Sequence, residues 1–553
     1  MPSADNALVS PILIEWGNVE AMSDRYLPEY FVNTPNVQES CRDDTWIISG
    51  EKGSGKTALK RVFAEESFGY STKFHKVINI DFQVARLTTI EPLLDNIIKS
   101  TGATSLDLLI NYWEFILITE TAKHIHKHDT PLRLPSHPND AVASLILQYF
   151  HNLSKSSIID GFQSIAEFAW TFFEEKKATP NLGVQPSSVG NENFKSARKN
   201  IMEFPLDQDA FISIQDQIID VIKKAGKPVL LVLDGFDGVI NAKQAASPHI
   251  QTIFIGLVEA VLTIKRDPEL SKCLKIKALI PYDRYLALNP PTCKDPIRDM
   301  DKIRSLNHSI HWTKADLKDF VAKRISVSLN TYFSTEDALC RILPKHIINE
   351  TYGLAENTFD YVLRHTLWRP RHVQEHFLAM TKALRLASVD KAGVIEEHHV
   401  RGCISAQSIE MVKCFIEEYA IDHPNIGDFI DKFKGISNVM PFKKFALIVE
   451  NFIHDFGQDD KWQVLQKIDC LYKMGFFGYL RKLLPKKSFV SLNDNVYLPP
   501  QTLNKHQIYW DFYYRSNIFV PVVREPQSDS TVGIHPIFFD YCGMVAHKKF
   551  IVG

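Results

Sequence analysis

The sequence predicts an α/β protein built around a parallel sheet. Three observations carry that prediction. The stretch Gly50-Glu51-Lys52-Gly53-Ser54-Gly55-Lys56-Thr57 reads G-x-x-x-x-G-K-T, the P-loop pattern. It lies between an apolar run, Trp46-Ile47-Ile48-Ser49, and a helical pattern from Ala58 to Glu65, the strand–loop–helix setting the motif needs. Further along, Pro228-Val229-Leu230-Leu231-Val232-Leu233-Asp234 is a continuous apolar run ending in a carboxylate, the signature of a strand buried on both faces. Such strands alternate with helical segments, which argues for a sheet covered by helices.

The elements follow in order. Residues 1–44 form a lead segment, with a short helix expected from Ala21 to Leu27 because Pro28 discourages its continuation. Tyr26, Leu27, Tyr30 and Phe31 form an apolar cluster that should pack on a core. The α/β core is expected over 45–312. Its further strands are Lys76 to Phe82, rich in β-branched residues, then Ile276 to Ile280, then His308 to Trp312. A helical insertion is expected at about 90–200, with polar loops at 129–139 and 178–196. Residues 313–400 read as a helical lid and 401–500 as a winged-helix-like domain. In the latter, helices at Phe442–Phe456 and Trp462–Met474 precede a hairpin formed by 486–490 and 496–498. A C-terminal extension, 501–553, completes the chain.

Composition narrows the function classes. Net charge is −2 and 23% of the 553 residues are charged, so no chain-wide field draws the protein to nucleic acid or anionic membrane. No apolar run reaches the roughly 18–20 residues of a membrane span. Met1 to Asn6 lack the basic start of a signal peptide. The eight cysteines form no C-x-x-C and no zinc-finger spacing, as expected of free thiols in a reducing compartment. A soluble, cytoplasmic protein is expected.

The candidate chemistry is that of a nucleoside triphosphate and Mg²⁺. Gly50, Gly53, Ser54, Gly55, Lys56, Thr57 and Ala58 would cradle the phosphates, with Lys56 as a point charge and the Thr57 hydroxyl on the metal. Asp234 at the strand end is the second metal-holding candidate, in the Walker B position. Asp237 could polarise the attacking water, although D-G-x-D also suits an ordinary turn. No Glu adjoins Asp234 to make a D-E pair. Asp283 follows the next strand, where a γ-phosphate sensor would sit. Arg284 and Arg298 are candidate γ-phosphate contacts, in cis or reaching a neighbouring subunit, or surface ion-pair residues. Arg369 and Arg371, flanking Pro370, could be presented to the γ-phosphate by a lid helix, or could be solvated arginines at a helix N-terminus with Pro in its first turn. Arg481, Lys482, Lys486 and Lys487 cluster at the expected wing, where they suit DNA phosphates or simply a solvated hairpin tip. His124, His126 and His128 read as a frayed helix end rather than a metal site, and His535 as a core histidine.

Several of these blocks together resemble the bacterial STAND/AAA-type P-loop ATPases found in defence loci. The blocks are Glu20-Ala21 with Tyr30-Phe31-Val32, the P-loop, Leu233 to Asp237, Asp301 to Ile303, Ile310 to Trp312 with Leu317, Arg324-Ile325, Arg369 to Arg371, and Leu471 to Phe477. One position departs: Pro281 stands where the family leads one to expect an Arg before the sensor turn. The resemblance implies an ASCE/AAA+-like three-layer P-loop core with a helical lid and a C-terminal winged helix. It also implies ATP and Mg²⁺ as ligands, ATP hydrolysis as activity, and nucleotide-driven switching or homo-oligomerisation. A role in anti-phage defence, with a separate effector protein, comes from the resemblance alone. The competing reading is a DNA-binding, initiator-like AAA+ loader. A small-molecule kinase lacks an evident acceptor site, an ABC-type ATPase lacks L-S-G-G-Q, and a nucleotide-binding scaffold would not hydrolyse.

Overall fold

The computed structural model describes residues 10–81, 219–236, 248–286, 300–349, 354–386, 395–420, 423–455, 461–482, 508–512 and 530–546, and isolated positions at 106–121, 216 and 288. All of the expected helical insertion but those isolated positions at 106–121, and likewise the wing hairpin at 486–498, Asp237, Arg298, Lys486, Lys487 and the three histidines at 124–128, lie outside them. The chain divides into two compact units. One holds Val37–Lys52 and Lys56–Ile310; the other holds Met1–Asn36, Gly53–Gly55 and His311–Gly553.

The first unit is the α/β unit. Its sheet contains β1 (Ile47–Gly50), β2 (Lys76–Asp81), β3 (Val229–Asp234), β4 (Leu274–Pro281) and β5 (Asn307–Ser309). The order is β2-β3-β4-β1-β5 and every pairing is parallel. All six residues of β3 and all four of β1 are buried. The apolar runs in the sequence are continuous because helices cover both faces of such a sheet. Strand β4 extends to Leu274 and Pro281, past its expected ends. Strand β5 is shorter than expected and shifted, although the Ile310 N–H still donates to the Ser49 carbonyl at 2.8 Å. A lysine on β4, Lys277, is buried yet fully used: its ammonium donates to the carbonyls of Ser40, Arg42 and Thr45 at 2.8, 2.7 and 2.6 Å. Burial pushes Lys277 down to about 7, the three carbonyls favour its charged form, and it ties the segment before β1 to the sheet.

The second unit begins with the lead segment. Ala21–Ser23 is a single 3₁₀ turn, and the helix is Leu27–Tyr30, with Pro28 inside its first turn. The expected Ala21–Leu27 helix is thus corrected: proline is compatible with a first turn, where its missing N–H has no intrahelical partner. Trp16 stacks on Phe377 with ring centroids 4.7 Å apart, and its Nε1 donates to Thr381 Oγ1 at 2.8 Å. Arg324 places its guanidinium 4.2 Å from the Tyr30 ring and 3.6 Å from the Phe320 ring, and donates to the Trp16 carbonyl. Gly17 has φ 75, and a Cβ there would stand 1.8 Å from the Tyr30 hydroxyl. A side chain here is therefore excluded by conformation and space together. Trp16→Ala should lower stability by about 3–5 kcal/mol, read from urea unfolding, because it removes a buried indole and its hydrogen bond.

Helices Lys314–Ser328, Thr335–Ile342, Thr358–Arg364 and Pro370–Leu386 follow. Thr313 opens the first with a reciprocal cap, its side chain accepting from the Asp316 N–H while Asp316 accepts from the Thr313 N–H. A hairpin of β6 (His346–Asn349) and β7 (Leu354–Asn357) interrupts the segment expected as a helical lid over 313–400. Beyond 395, helices Glu397–Tyr419, Ile426–Asp431, Phe442–Asp455 and Lys461–Lys473 share an aromatic-rich core with an antiparallel sheet. That sheet has the order β10-β9-β11-β8, formed by β8 (Val439–Pro441), β9 (Phe477–Lys482), β10 (Ile508–Asp511) and β11 (Thr531–Ile534). Residues of the C-terminal extension therefore contribute two of its strands. Gly475, at φ 80, stops the helix before β9: its N–H and that of Phe476 return to the Tyr472 and Leu471 carbonyls. His535 is fully buried, with Nδ1 accepting from the Ile537 N–H.

Two buried histidines, His365 and His376, and the half-buried His372 sit around the helix Pro370–Leu386. Burial holds His365 and His372 well below the usual imidazole range and His376 at about 4. All three are neutral in the fold and would charge on unfolding below about 6.5. The unfolded chain thus binds more protons below that value, and stability falls as pH drops from about 6.5 to about 4. His376 alone accounts for about 3 kcal/mol over that window. Thermal melts between pH 7 and 4.5 should show this decline, and His376→Gln should flatten it.

Candidate nucleotide site

The loop between β1 and the helix Lys56–Ala64 is shaped by two glycines. Gly53 (φ 79) and Gly55 (φ 104) occupy the left-handed region, which only glycine enters without strain. A Cβ at Gly53 would stand 3.2 Å from Arg371 Cβ. The Ser54 carbonyl accepts from Trp312 Nε1 at 2.8 Å. Ser54 Oγ is buried and has no hydrogen-bond partner among the described residues. A buried orphan hydroxyl in a glycine-shaped loop at a helix N-terminus fits an anionic phosphate chain. The Lys56 ammonium donates to the Gly50 and Glu51 carbonyls at 2.9 and 3.2 Å, which curls the lysine over the loop. Thr57 and Ala58 are the second and third residues of the helix, with Thr57 half-buried.

Asp234 ends β3 and is 7% exposed. Gly235, at φ 89, turns the chain immediately after it. Strand β4 lies between β3 and the P-loop strand, so the aspartate is one strand removed from Gly50 on the same carboxyl edge of the sheet. The helix Lys56–Ala64 bridges that gap: Lys60 Nζ stands 4.0 Å from Asp234 Oδ2. Lys60 follows Lys56 by four residues and so shares its helix face. Sequence reading missed Lys60, although the i, i+4 spacing from the P-loop lysine was there to find it. The register also sets Asp81 opposite Asp234 at the end of β2. The hydroxyl of Thr57 and the carboxylate of Asp234 are hard oxygen donors of the kind Mg²⁺ takes.

The arginine candidates separate. Gly50 pairs with Pro281, and the helix Tyr282–Leu286 starts at once, which puts Asp283 and Arg284 at the same sheet edge. Arg284 Nε lies 3.3 Å from Asp283 Oδ2. Arg369 is buried and directed elsewhere, with NH1 3.1 Å from Glu418 Oε2 and NH2 donating to Tyr419 Oη at 3.5 Å. Arg371, two residues on, packs against Gly53. Trp368, before this block, has φ 54, a strained conformation for a bulky residue that the surrounding packing must hold. Arg481 and Lys482 fall on β9.

No family model matches the chain, and neither does any curated protein. A similar solved structure is that of the Aeropyrum pernix ORC2 protein in ADPNP–ADP complexes, 10% identical over 82% of this chain and 91% of that one, with a TM-score of 0.33. The P-loop α/β fold therefore rests on the chain's own geometry: a parallel sheet ordered β2-β3-β4-β1-β5, with the P-loop after β1 and Asp234 closing β3.

Proposed function

We propose that this chain is an AAA+-like ATPase that binds and hydrolyses ATP with Mg²⁺ and acts as a switch. The observation that carries the proposal is the placement of Lys56, Thr57 and Asp234 along one edge of the sheet, with a single strand between β1 and β3. The loop N–H groups and Lys56 hold the phosphates. Thr57 and Asp234 would hold Mg²⁺, which would neutralise charge on the phosphates. Lys60 sets a positive charge beside Asp234 and fixes that carboxylate's position. Asp237 is the candidate to orient water, Arg371 to touch the phosphates over Gly53, and Arg284 to sense the γ-phosphate from the strand beside β1. Arg369 instead neutralises Glu418. Homo-oligomerisation, a separate effector and a defence role extend the proposal through the family resemblance only.

The test is phosphate release by purified protein, with mass measured with and without a non-hydrolysable ATP analogue. Slow turnover and an analogue-dependent change in mass support the switch. Release no faster than in Asp234→Ala would make it a nucleotide-binding scaffold.

A second reading is favoured by one observation. The helices Phe442–Asp455 and Lys461–Lys473 lead directly into antiparallel strands, and Arg481-Lys482 end β9, the arrangement of a winged-helix DNA reader. An initiator-like loader would show duplex affinity that falls steeply with salt and is lost when Arg481, Lys482, Lys486 and Lys487 are neutralised.

A further inference from the structure

Away from the P-loop, three side chains form a cluster that the proposed ATPase chemistry does not use. Lys467 and Cys470 lie three residues apart on one face of the helix Lys461–Lys473. The imidazole of His423 stands between them. Its Nδ1 is 3.3 Å from Lys467 Nζ and its Nε2 is 3.1 Å from Cys470 Sγ. An ammonium has donors only, so Nδ1 must be the accepting nitrogen. The ring proton is then on Nε2, directed at the sulfur. A sulfur that receives a hydrogen bond from an imidazole backed by an ammonium is stabilised as thiolate.

We propose that Cys470 is a nucleophilic thiol, set up by His423 and Lys467, that hydroperoxides oxidise to a sulfenic acid. The thiolate sulfur gives an electron pair to one peroxide oxygen and the O–O bond breaks. The departing hydroxide, or alkoxide from an alkyl hydroperoxide, takes the His423 Nε2 proton while the Lys467 ammonium passes one to Nδ1, so that water or alcohol leaves and the ring stays neutral. Sulfur is oxidised by two electrons and the peroxide is reduced by two. Bulk water then returns a proton to Lys467.

The surroundings fit that chemistry. Burial draws Lys467 down, and the Cys470 sulfur pulls it back up. The neighbouring carboxylate, Asp469, is engaged by Lys473 at 2.6 Å. The other described cysteines provide built-in comparisons. Cys340 and Cys414 are exposed, whereas Cys470 is half-buried. Burial pushes up the Cys41, Cys273 and Cys403 thiols, and the Cys542 thiol to about 12. Exposure alone therefore predicts Cys340 and Cys414 as the reactive sites, and the cluster predicts Cys470.

The test treats the full chain with dilute hydrogen peroxide and dimedone at pH 7 and quantifies the adduct at each cysteine by mass spectrometry. Cys470 should be labelled at least about tenfold faster than Cys340 or Cys414, since an ordinary thiol is only a few per cent thiolate at that pH. His423→Phe should bring Cys470 down to the level of those two, with an unchanged melting temperature. Lys467→Met should also slow labelling, and Lys467→Arg should retain it; this pair decides the matter if His423→Phe does not fold. Labelling that follows exposure, or a Cys470 rate indifferent to both His423→Phe and Lys467→Met, overturns the proposal.

Discussion

Asp234→Ala should bind ATP within a few-fold of the wild type and hydrolyse it at least about a hundredfold more slowly, the scale on which a charge-stabilising group at a reacting centre acts. Asp234 closes a strand whose six residues are all buried, so its position is fixed by the sheet and not by a mobile loop. Its carboxylate faces Lys60, one helical turn beyond the P-loop lysine. Removing it leaves the glycine-shaped loop intact, so phosphate binding persists. On the proposed function, what is lost is a carboxylate that would hold Mg²⁺ at the sheet edge, and with it the stabilisation of charge that the ion would supply during transfer. Single-turnover phosphate release beside equilibrium binding of a fluorescent ATP analogue separates the two effects. A matching loss of affinity would mean that Asp234 supports the loop and not the reaction.

The second large effect is a split between two arginines that sequence treats alike. Arg369→Ala should destabilise the fold, by about 3–5 kcal/mol, because it strips the counter-charge from Glu418. Arg369 is 3% exposed, so the pair is screened little by bulk water. Arg371→Ala should leave the melting temperature nearly unchanged and instead weaken ATP binding or slow turnover, since Arg371 packs against Gly53. Calorimetric melting alongside steady-state kinetics reads both. If Arg369→Ala melts normally and loses turnover, the assignments are reversed.

That split shows what the sequence could and could not reveal. Arg369 and Arg371 have the same chemistry and sit two residues apart; only their places around the turn into the helix Pro370–Leu386 set one on Glu418 and the other on Gly53. No local pattern encodes that. The sheet was legible because burial on both faces writes itself as uninterrupted apolar runs, as at Val229–Asp234. The P-loop was legible because its two left-handed positions require glycine. The β6–β7 hairpin was not, because His346-Ile347-Ile348-Asn349 is too short to show a period and is flanked by helices. The tie of Trp16 to Phe377 and Thr381 spans more than 360 positions, so no window on the sequence contains both ends. Lys60 shares the i, i+4 spacing of Lys56, but its partner Asp234 lies far away in sequence, so spacing alone does not reveal their contact.

The central claim is that Lys56 and its loop hold a nucleoside triphosphate. Isothermal calorimetry with Mg²⁺–ATP on the wild type and on Lys56→Ala tests it most directly. The expected result is saturable one-site binding by the wild type, weakened at least about tenfold in Lys56→Ala, the loss of one charge-assisted contact. A wild-type protein that takes up no ATP, or a Lys56→Ala variant that binds it equally well, would contradict the account.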